Sequence, residues 1–296
     1  MSRTCVIFNP TARGDKAQTF HRQLNLIAAE ATLKPTTAPT DARRLAAEAI
    51  GEGFETIVAG GGDGTVNEVL NGIGDANGFE QSRLAVLPLG TVNVFAKELG
   101  LPSDFSHAWR IIQQGHETRI DLPQAEFSRN AIREKRFFAQ LAGTGLDARA
   151  IELTSWQLKK KFGAMAYVLA GFHAFCEKQN QITVSNGSQS VTGELVLIGN
   201  GRFYGGRFRF FPRADFRDGL LDVCIFPRAS WLALVKCGWG VMTYGMLTRA
   251  GATHFTGDKI SITSPTRSLI ELDGENVGEL PATLSVQREV LRIIVP

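Results

Sequence analysis

The segment Val58-Ala59-Gly60-Gly61-Gly62-Asp63-Gly64-Thr65-Val66-Asn67-Glu68 constrains this chain more than any other. Ile57 and Val58 lead into it as a buried strand does. Four glycines follow around one carboxylate, and Thr65-Val66-Asn67-Glu68-Val69-Leu70 reads as the opening turns of a helix. A strand, a glycine turn and a helix start form an anion site, because backbone N–H groups of the turn and of the helix N-terminus point at the ligand. Glycine lets the main chain approach a phosphate where a Cβ would clash. Asp63 is the odd member. A carboxylate beside bound phosphates is repelled unless a cation lies between them, so it points to Mg²⁺ or to a proton relay. The alternative is a tight strand–helix turn with Asp63 as a helix cap, since glycine turns are common.

The flanking sequence repeats the pattern. Thr4–Phe8 reads as a strand ending in the polar turn Asn9-Pro10-Thr11-Ala12-Arg13-Gly14, and α/β sheets bind ligands at such carboxyl ends. Asn9 is placed to hold an adenine or ribose edge, and Arg13 or the Gly14 amide to reach a phosphate; a plain loop is the alternative. Apolar spacing predicts a helix over Ala17–Thr32. A short strand near Lys34–Ala38 leads to a helix over Ala42–Ile50, capped by Thr40 or Asp41. Arg83–Leu87 is a further strand, and Pro88-Leu89-Gly90-Thr91-Val92-Asn93 makes a second glycine turn before a helix. Ser103–Gln114 is helical, and a strand over Thr118–Leu122 carries Asp121. Strands alternating with helices at this spacing predict a parallel α/β layer over residues 1–123.

Beyond residue 123 the texture changes. Arg136–Ala142 reads as a strand before Gly143-Thr144-Gly145-Leu146-Asp147-Ala148, which fits GxGxxA but lacks the acidic ribose partner downstream. Helices are expected over Ala148–Leu153 and Lys161–Phe175. β-like runs follow over Gln181–Ser185, Val191–Ile198, Leu220–Phe226, Lys259–Thr263, Leu269–Leu272 and Val290–Val295, with an Asn186-Gly187 hairpin turn. Residues 124–296 are therefore expected to form a β-rich, sandwich-like domain.

Composition limits the function. The chain is 44% hydrophobic and 21% charged, ordinary for a globular protein with a full core. A net charge of +3 suits anionic ligands or an anionic membrane surface but is too weak to argue nucleic acid. The four cysteines (Cys5, Cys176, Cys224, Cys237) are far apart and read as buried thiols of a reducing compartment. The apolar run at the N-terminus is too short for a signal peptide. Lys236, Arg249 and several glycines dilute the run Trp231–Ala252, which reads as a buried or interfacial helix rather than a span. A cytoplasmic protein is expected.

Three further blocks carry chemistry. Gly199–Gly206 is glycine-rich, and Arg207, Arg209 and Arg213 interleave with Phe203, Tyr204, Phe208, Phe210 and Phe211. Such a stretch suits a membrane interface, or is a strand with one solvated basic face. Asp215, Asp218 and Asp222 crowd a turn whose oxygens suit a hard cation, or it is an Asp-Gly turn before a strand. Leu272-Asp273-Gly274-Glu275 is a hairpin-like acidic turn. There is no Walker A, HExxH or GxSxG motif, and the five histidines are scattered. Carboxylates and backbone donors suit phosphoryl transfer, which needs positioning, charge neutralisation and one base.

The blocks NPTARG, AGGGDGTVNEV, PLGTVNVFA, Asp121, GTGLDA, NGRFYGG, P-x-A-x-x-x-DG-x-LDV and LDGE occur along almost the whole chain. In that order they resemble the diacylglycerol kinase catalytic-domain family, which includes bacterial YegS-like lipid kinases and sphingosine kinases and is related more distantly to NAD kinases. The resemblance implies an N-terminal α/β nucleotide domain and a C-terminal β-rich domain, with the active site in the cleft between them and the last strand returning to the first domain. It implies ATP held by Asn9, Thr40, Gly61, Gly62, Asp63, Gly64, Thr65, Asn67, Glu68 and Thr91. Asp63 and Asp121 would join a Mg²⁺ and water network at the phosphates. Asp218, with the carbonyls of Asp215 and Leu220, would hold a structural Mg²⁺. Glu275 would be the general base for a hydroxyl of a diacylglycerol-like lipid. Peripheral contact with the membrane surface follows, no nucleic acid is expected, and a homodimer is left open. One departure stands out: the family shows GTxND, and here Val94 replaces the aspartate. The rival readings are a kinase of a soluble acceptor, as in NAD kinases, and a nucleotide- or lipid-binding protein without activity.

Overall fold

The computed structural model describes residues 3–10, 23–153, 179–206, 208–228 and 251–296. The expected helix Lys161–Phe175, the apolar run Trp231–Ala252 up to residue 250, Arg13, Gly14, Cys176, Cys237 and Arg207 lie outside them. So does part of the expected helix Ala17–Thr32, of which residues 23–27 are helical. The chain divides into two compact units. One takes the described residues up to Leu122, with Gly205, Gly206 and Gln287–Pro296; the other takes those of Pro123–Tyr204 and Phe208–Val286.

The first unit is built on β1 (Thr4–Phe8), β2 (Thr32–Pro35), β3 (Thr56–Gly61) and β4 (Arg83–Pro88), parallel and in the order β2-β1-β3-β4. β3 is buried throughout and β4 nearly so, because a parallel strand covered on both faces reads as a continuous apolar run. Helix α1 (Asp41–Gly51) buries Ala42, Ala46, Ala49 and Ile50, spaced three and four apart. It packs against α2 (Asp63–Asp75) at Gly72, where a Cβ would sit 2.1 Å from the Arg43 carbonyl oxygen. Only glycine permits that approach. Helices α3 (Val94–Glu98) and α4 (Phe105–Gln114) follow β4; the Asp104 carboxylate accepts the His107 amide and starts α4.

The second unit is antiparallel. It comprises most of β5 (Glu117–Arg129), then β6 (Ile132–Phe137), β7 (Leu141–Gly145), α5 (Leu146–Leu153), β8 (Ile182–Ser185), β9 (Ser190–Gly193), β10 (Leu195–Gly199), β11 (Phe203–Tyr204), β12 (Phe208–Arg209), β13 (Leu221–Phe226), β14 (Thr253–Gly257), β15 (Lys259–Thr263), β16 (Leu269–Leu272) and the first part of β17 (Glu275–Ile294). One path of strands runs β14-β13-β10-β7-β16-β17, while β9, β8 and β15 pair in series and return to β17. Alternation fills the core between them. Val196 and Ile198 of β10 join Val223, Ile225, Ile182, Val184, Ile260, Ile262 and Leu284. Leu195 and Leu197 face the other way, into a second cluster with Phe210, Phe211, Cys224 and Phe226. The last residues of β17 belong to the first unit and pair in parallel with β4 at Ile293 and Leu84.

Three sequence expectations need correction. The strand expected over Arg136–Ala142 is two strands, because the amides of Ala139, Gln140 and Leu141 turn onto the Asp273 carboxylate. The run Val191–Ile198 breaks at Glu194, whose amide donates to the Phe226 carbonyl while its own carbonyl accepts from Leu146. The final strand begins at Glu275 rather than Val290. Solvent-facing residues hide its pattern.

Candidate functional site

In the first unit, strand register brings the glycine blocks to one edge. Phe8 lies opposite Gly60 and Gly61 opposite Pro88, so Asn9, Gly61–Gly62 and Leu89–Gly90 all leave the sheet at its carboxyl end. The Asn9 amide donates to the Gly60 carbonyl at 3.2 Å. The two glycine turns touch. A Cβ on Gly90 would lie 2.4 Å from the Gly62 Cα, and one on Gly61 would lie 2.2 Å from the Thr65 hydroxyl oxygen. Bare backbone therefore meets bare backbone above the sheet, beside the N-terminus of the thirteen-residue helix α2. This arrangement can cradle an anion.

The carboxylates of this unit hold the cradle together. Asp63 opens α2, and its Oδ1 accepts the Phe95 amide at 3.1 Å, tying α2 to the first turn of α3. It caps a neighbouring helix rather than its own. Glu68 accepts the Thr40 and Ala42 amides at 3.1 and 3.0 Å, so it fixes the start of α1 while Thr40 sits at φ 71°. Asn71 donates to the side chain and carbonyl of Asn67. Gly64 lies within the first turn of α2, and Thr91 is exposed after Gly90. Val94, where the family pattern has aspartate, starts α3 half-buried. Asp121 is 1% exposed, and its Oδ1 accepts the Glu289 amide at 2.8 Å.

The second unit carries the remaining candidates. Asp215 Oδ1 accepts the Arg217 amide, the Asp215 carbonyl accepts the Asp218 amide, and Asp218 Oδ1 accepts the Leu220 amide, which closes a tight oxygen-rich turn. Burial, and next the charge of Asp218, push the Asp222 carboxyl up to about 6, against the pull of Arg213. Carbonyl and carboxylate oxygens in so negative a turn fit a hard dication with water completing its shell. Among the described residues no three His, Cys, Asp or Glu side chains gather into a metal cage.

Glu275, the first residue of β17, is exposed across a two-residue turn from Leu272. Two residues that carried no role in the sequence reading precede it in the hairpin. Asp273 accepts three backbone amides, and Glu271, fully buried, accepts the Gly274 amide at 2.8 Å. The signal for Asp273 in the sequence was the acidic LDGE turn itself; Glu271 stands just before it.

The chain matches the crystal structure of a Bacillus anthracis diacylglycerol kinase with a TM-score of 0.72 and 20% identity, covering 100% of this chain and 97% of that one. Yeast NADH kinase complexed with NADH gives 0.56 and 8%, covering 100% and 84%. At those identities the likeness is one of fold. Sequence goes further. Residues 3–125 match the diacylglycerol kinase catalytic domain, and residues 140–295 the YegS C-terminal NAD kinase beta sandwich-like domain. A diacylglycerol kinase of Staphylococcus aureus (strain bovine RF122) is 30% identical over 300 residues, covering 97% of this chain and 91% of the relative. One of Staphylococcus saprophyticus is 29% identical over 305 residues, covering 99% and 95%. The chain belongs to the diacylglycerol kinase family of lipid kinases. The resemblance read from the ordered motifs, and the α/β plus β-sandwich fold class, hold.

Proposed function

We propose that this chain transfers the γ-phosphate of ATP to a hydroxyl of a diacylglycerol-like lipid. The observation that carries the reading is the close approach of Gly62 and Gly90 at the carboxyl edge of a parallel sheet, beside the N-terminus of α2. Family membership implies ATP as co-substrate. Asn9, Thr40, Gly61, Gly62, Asp63, Gly64, Thr65, Asn67, Glu68 and Thr91 are assigned to it. Several of these act by holding the backbone in place, as the bonds of Glu68 to Thr40 and Ala42 suggest. Mg²⁺ is assigned to two places: near Asp63 and Asp121 at the phosphates, and at Asp218 with the carbonyls of Asp215 and Leu220. It supplies charge neutralisation there. Glu275 is assigned as the base that takes the hydroxyl proton, a role that suits an exposed carboxylate.

Peripheral contact with an anionic bilayer is part of the reading. The hairpin of β11 and β12 supports it: Phe208 is 55% exposed, and Arg202 and Arg209 lie 5.9 and 5.8 Å from the Phe203 ring. Aromatic side chains flanked by arginines suit the headgroup region. Among the described residues no helix is long and apolar enough to cross a membrane.

The test is transfer of labelled γ-phosphate to diacylglycerol, monoacylglycerol, phosphatidylglycerol, ceramide and sphingosine in mixed micelles, with and without Mg²⁺. Wild type is compared with Asp63→Ala and Glu275→Ala. A labelled lipid absent from both variants supports the assignment and names the acceptor. ATP binding without any labelled lipid would overturn it in favour of a soluble acceptor or a binding protein.

A further inference from the structure

The hairpin that carries Glu275 is held more firmly than a turn requires. β16 and β17 are joined by Asp273 (φ 49°) and Gly274 (φ 88°), both in the left-handed region that a two-residue hairpin loop demands. Asparagine meets that demand as well as aspartate does. The carboxylate is therefore not explained by turn geometry. Its contacts explain it. Oδ2 accepts the Ala139 amide at 2.8 Å, and Oδ1 accepts the Gln140 and Leu141 amides at 2.9 and 3.1 Å. The Asp273 amide in turn donates to the Leu141 carbonyl at 2.8 Å.

The same tripeptide is gripped from another side. The Asn200 side-chain amide donates to the Ala139 carbonyl at 3.0 Å, and its backbone amide to the Gln140 carbonyl at 2.9 Å. Two sequence blocks, NGRFYGG and LDGE, thus clasp residues 139–141. Within the hairpin Glu271 accepts the Gly274 amide, and beyond it the Asn276 side chain donates to the Ala148 carbonyl at 3.0 Å. Glu275 is exposed between neighbours anchored on both sides. A partly buried carboxylate with three amide donors is also costly to replace, because loss of its charge leaves those donors without a full complement of acceptors.

We infer that Asp273 is a positioning residue of the transfer reaction, fixing through residues 139–141 the turn that presents Glu275. This rests on the reading of Glu275 as the base. Displacement of a reacting group by about 1 Å can cost on the order of 100-fold in rate.

The experiment is steady-state kinetics of the full chain, with the lipid acceptor found above, for Asp273→Asn, Glu275→Gln and the double variant. Asp273→Asn keeps a residue suited to positive φ and removes the charge. The expected result is a kcat lowered about 10-fold or more, with KM for ATP and for lipid within about twofold, since the group acts on orientation and not on binding. In the Glu275→Gln background the same change is expected to cost less than about twofold, because residues acting as a unit are not additive. A kcat for Asp273→Asn within twofold of wild type would overturn the inference. So would an undiminished loss in the double variant, which marks a structural effect independent of Glu275. Full activity of Glu275→Gln would instead bring down the base assignment. If Asp273→Asn melts below the assay temperature, Asn200→Ala, which frees the Ala139 carbonyl and so loosens the same tripeptide from its other side, is judged on the same kcat and the same double-variant comparison.

Discussion

Gly62 and Gly90 back onto each other: a Cβ on Gly90 would stand 2.4 Å from the Gly62 Cα and 2.7 Å from the Asn93 side-chain oxygen. The relation is not symmetric. A Cβ on Gly62 would meet the Gly90 Cα at 3.4 Å, an ordinary contact. Gly90→Ala should therefore push the two turns apart, at about 1–3 kcal/mol, the usual cost of overpacking. Gly62→Ala should cost clearly less in stability. Urea denaturation of both variants, beside a fluorescent ATP-analogue titration, checks the order. Equal stability losses would show that the two turns do not bear on each other as described.

Glu68 bonds two amides at the start of α1, at Thr40 and Ala42. A glutamine there offers one acceptor where the carboxylate offers two. Glu68→Gln should lose about 1–2 kcal/mol, the range for hydrogen bonds to a charged group. ATP affinity should fall with it, because the Thr40 turn is no longer fixed. Thermal melts and isothermal titration read the two effects separately. Weakened binding at unchanged stability would mean that Glu68 touches the nucleotide instead of the Thr40 turn.

The glycine blocks were legible because backbone approach leaves a mark on sequence: a Cβ at Gly61, Gly72 or Gly90 meets an atom within 2.5 Å, so no other residue type fits there unaltered. Parallel strands β3 and β4 were legible as continuous apolar runs. What sequence hid depends on long-range bonds. The break between β6 and β7 answers to Asp273, more than a hundred residues away along the chain. Of β17 only the end, from Val290 on, was legible, because half-exposed and exposed residues break the burial pattern over the part before it. Asp63 was read as a cap for its own helix or as a cation partner. That its carboxylate reaches the Phe95 amide could not be read from spacing, since it depends on where the next glycine turn folds back.

Cys5 lies in β1 with no exposed surface, and burial pushes its thiol up to about 12; Lys34 lowers it slightly and Glu52 raises it. Thiolate is the reactive form, so the thiol is silenced twice, by access and by protonation. Cys224 is likewise buried, 3.7 Å from His254 Nε2. Iodoacetamide at pH 8 should leave both unlabelled in the native chain and modify both after denaturation. Peptide mass spectrometry assigns the sites. Native labelling of Cys5 would require that β1 open readily, contrary to its place inside the sheet.

Asp41 begins α1, and its carboxylate accepts the hydroxyl and amide of Thr37 and the amide of Ala38. Those bonds, with the Thr37 hydroxyl foremost, hold its carboxyl down at about 2. An aspartate in the unfolded chain titrates near 3.9. The folded state therefore favours the ionised form. Its contribution is whole above roughly pH 5 and disappears as pH falls through the unfolded value toward the folded one. Asp41→Asn cannot ionise, so wild type should melt higher than the variant at pH 7 and pH 5 by a constant margin. That margin should shrink steadily toward pH 3, because protonated wild type approaches the amide in charge. Thr37→Val removes the leading donor and should raise the Asp41 titration midpoint, read by carboxyl NMR. A margin that widens on acidification would reverse the sign of the linkage, and with it the claim that the Thr37 turn anchors the start of α1 through charge.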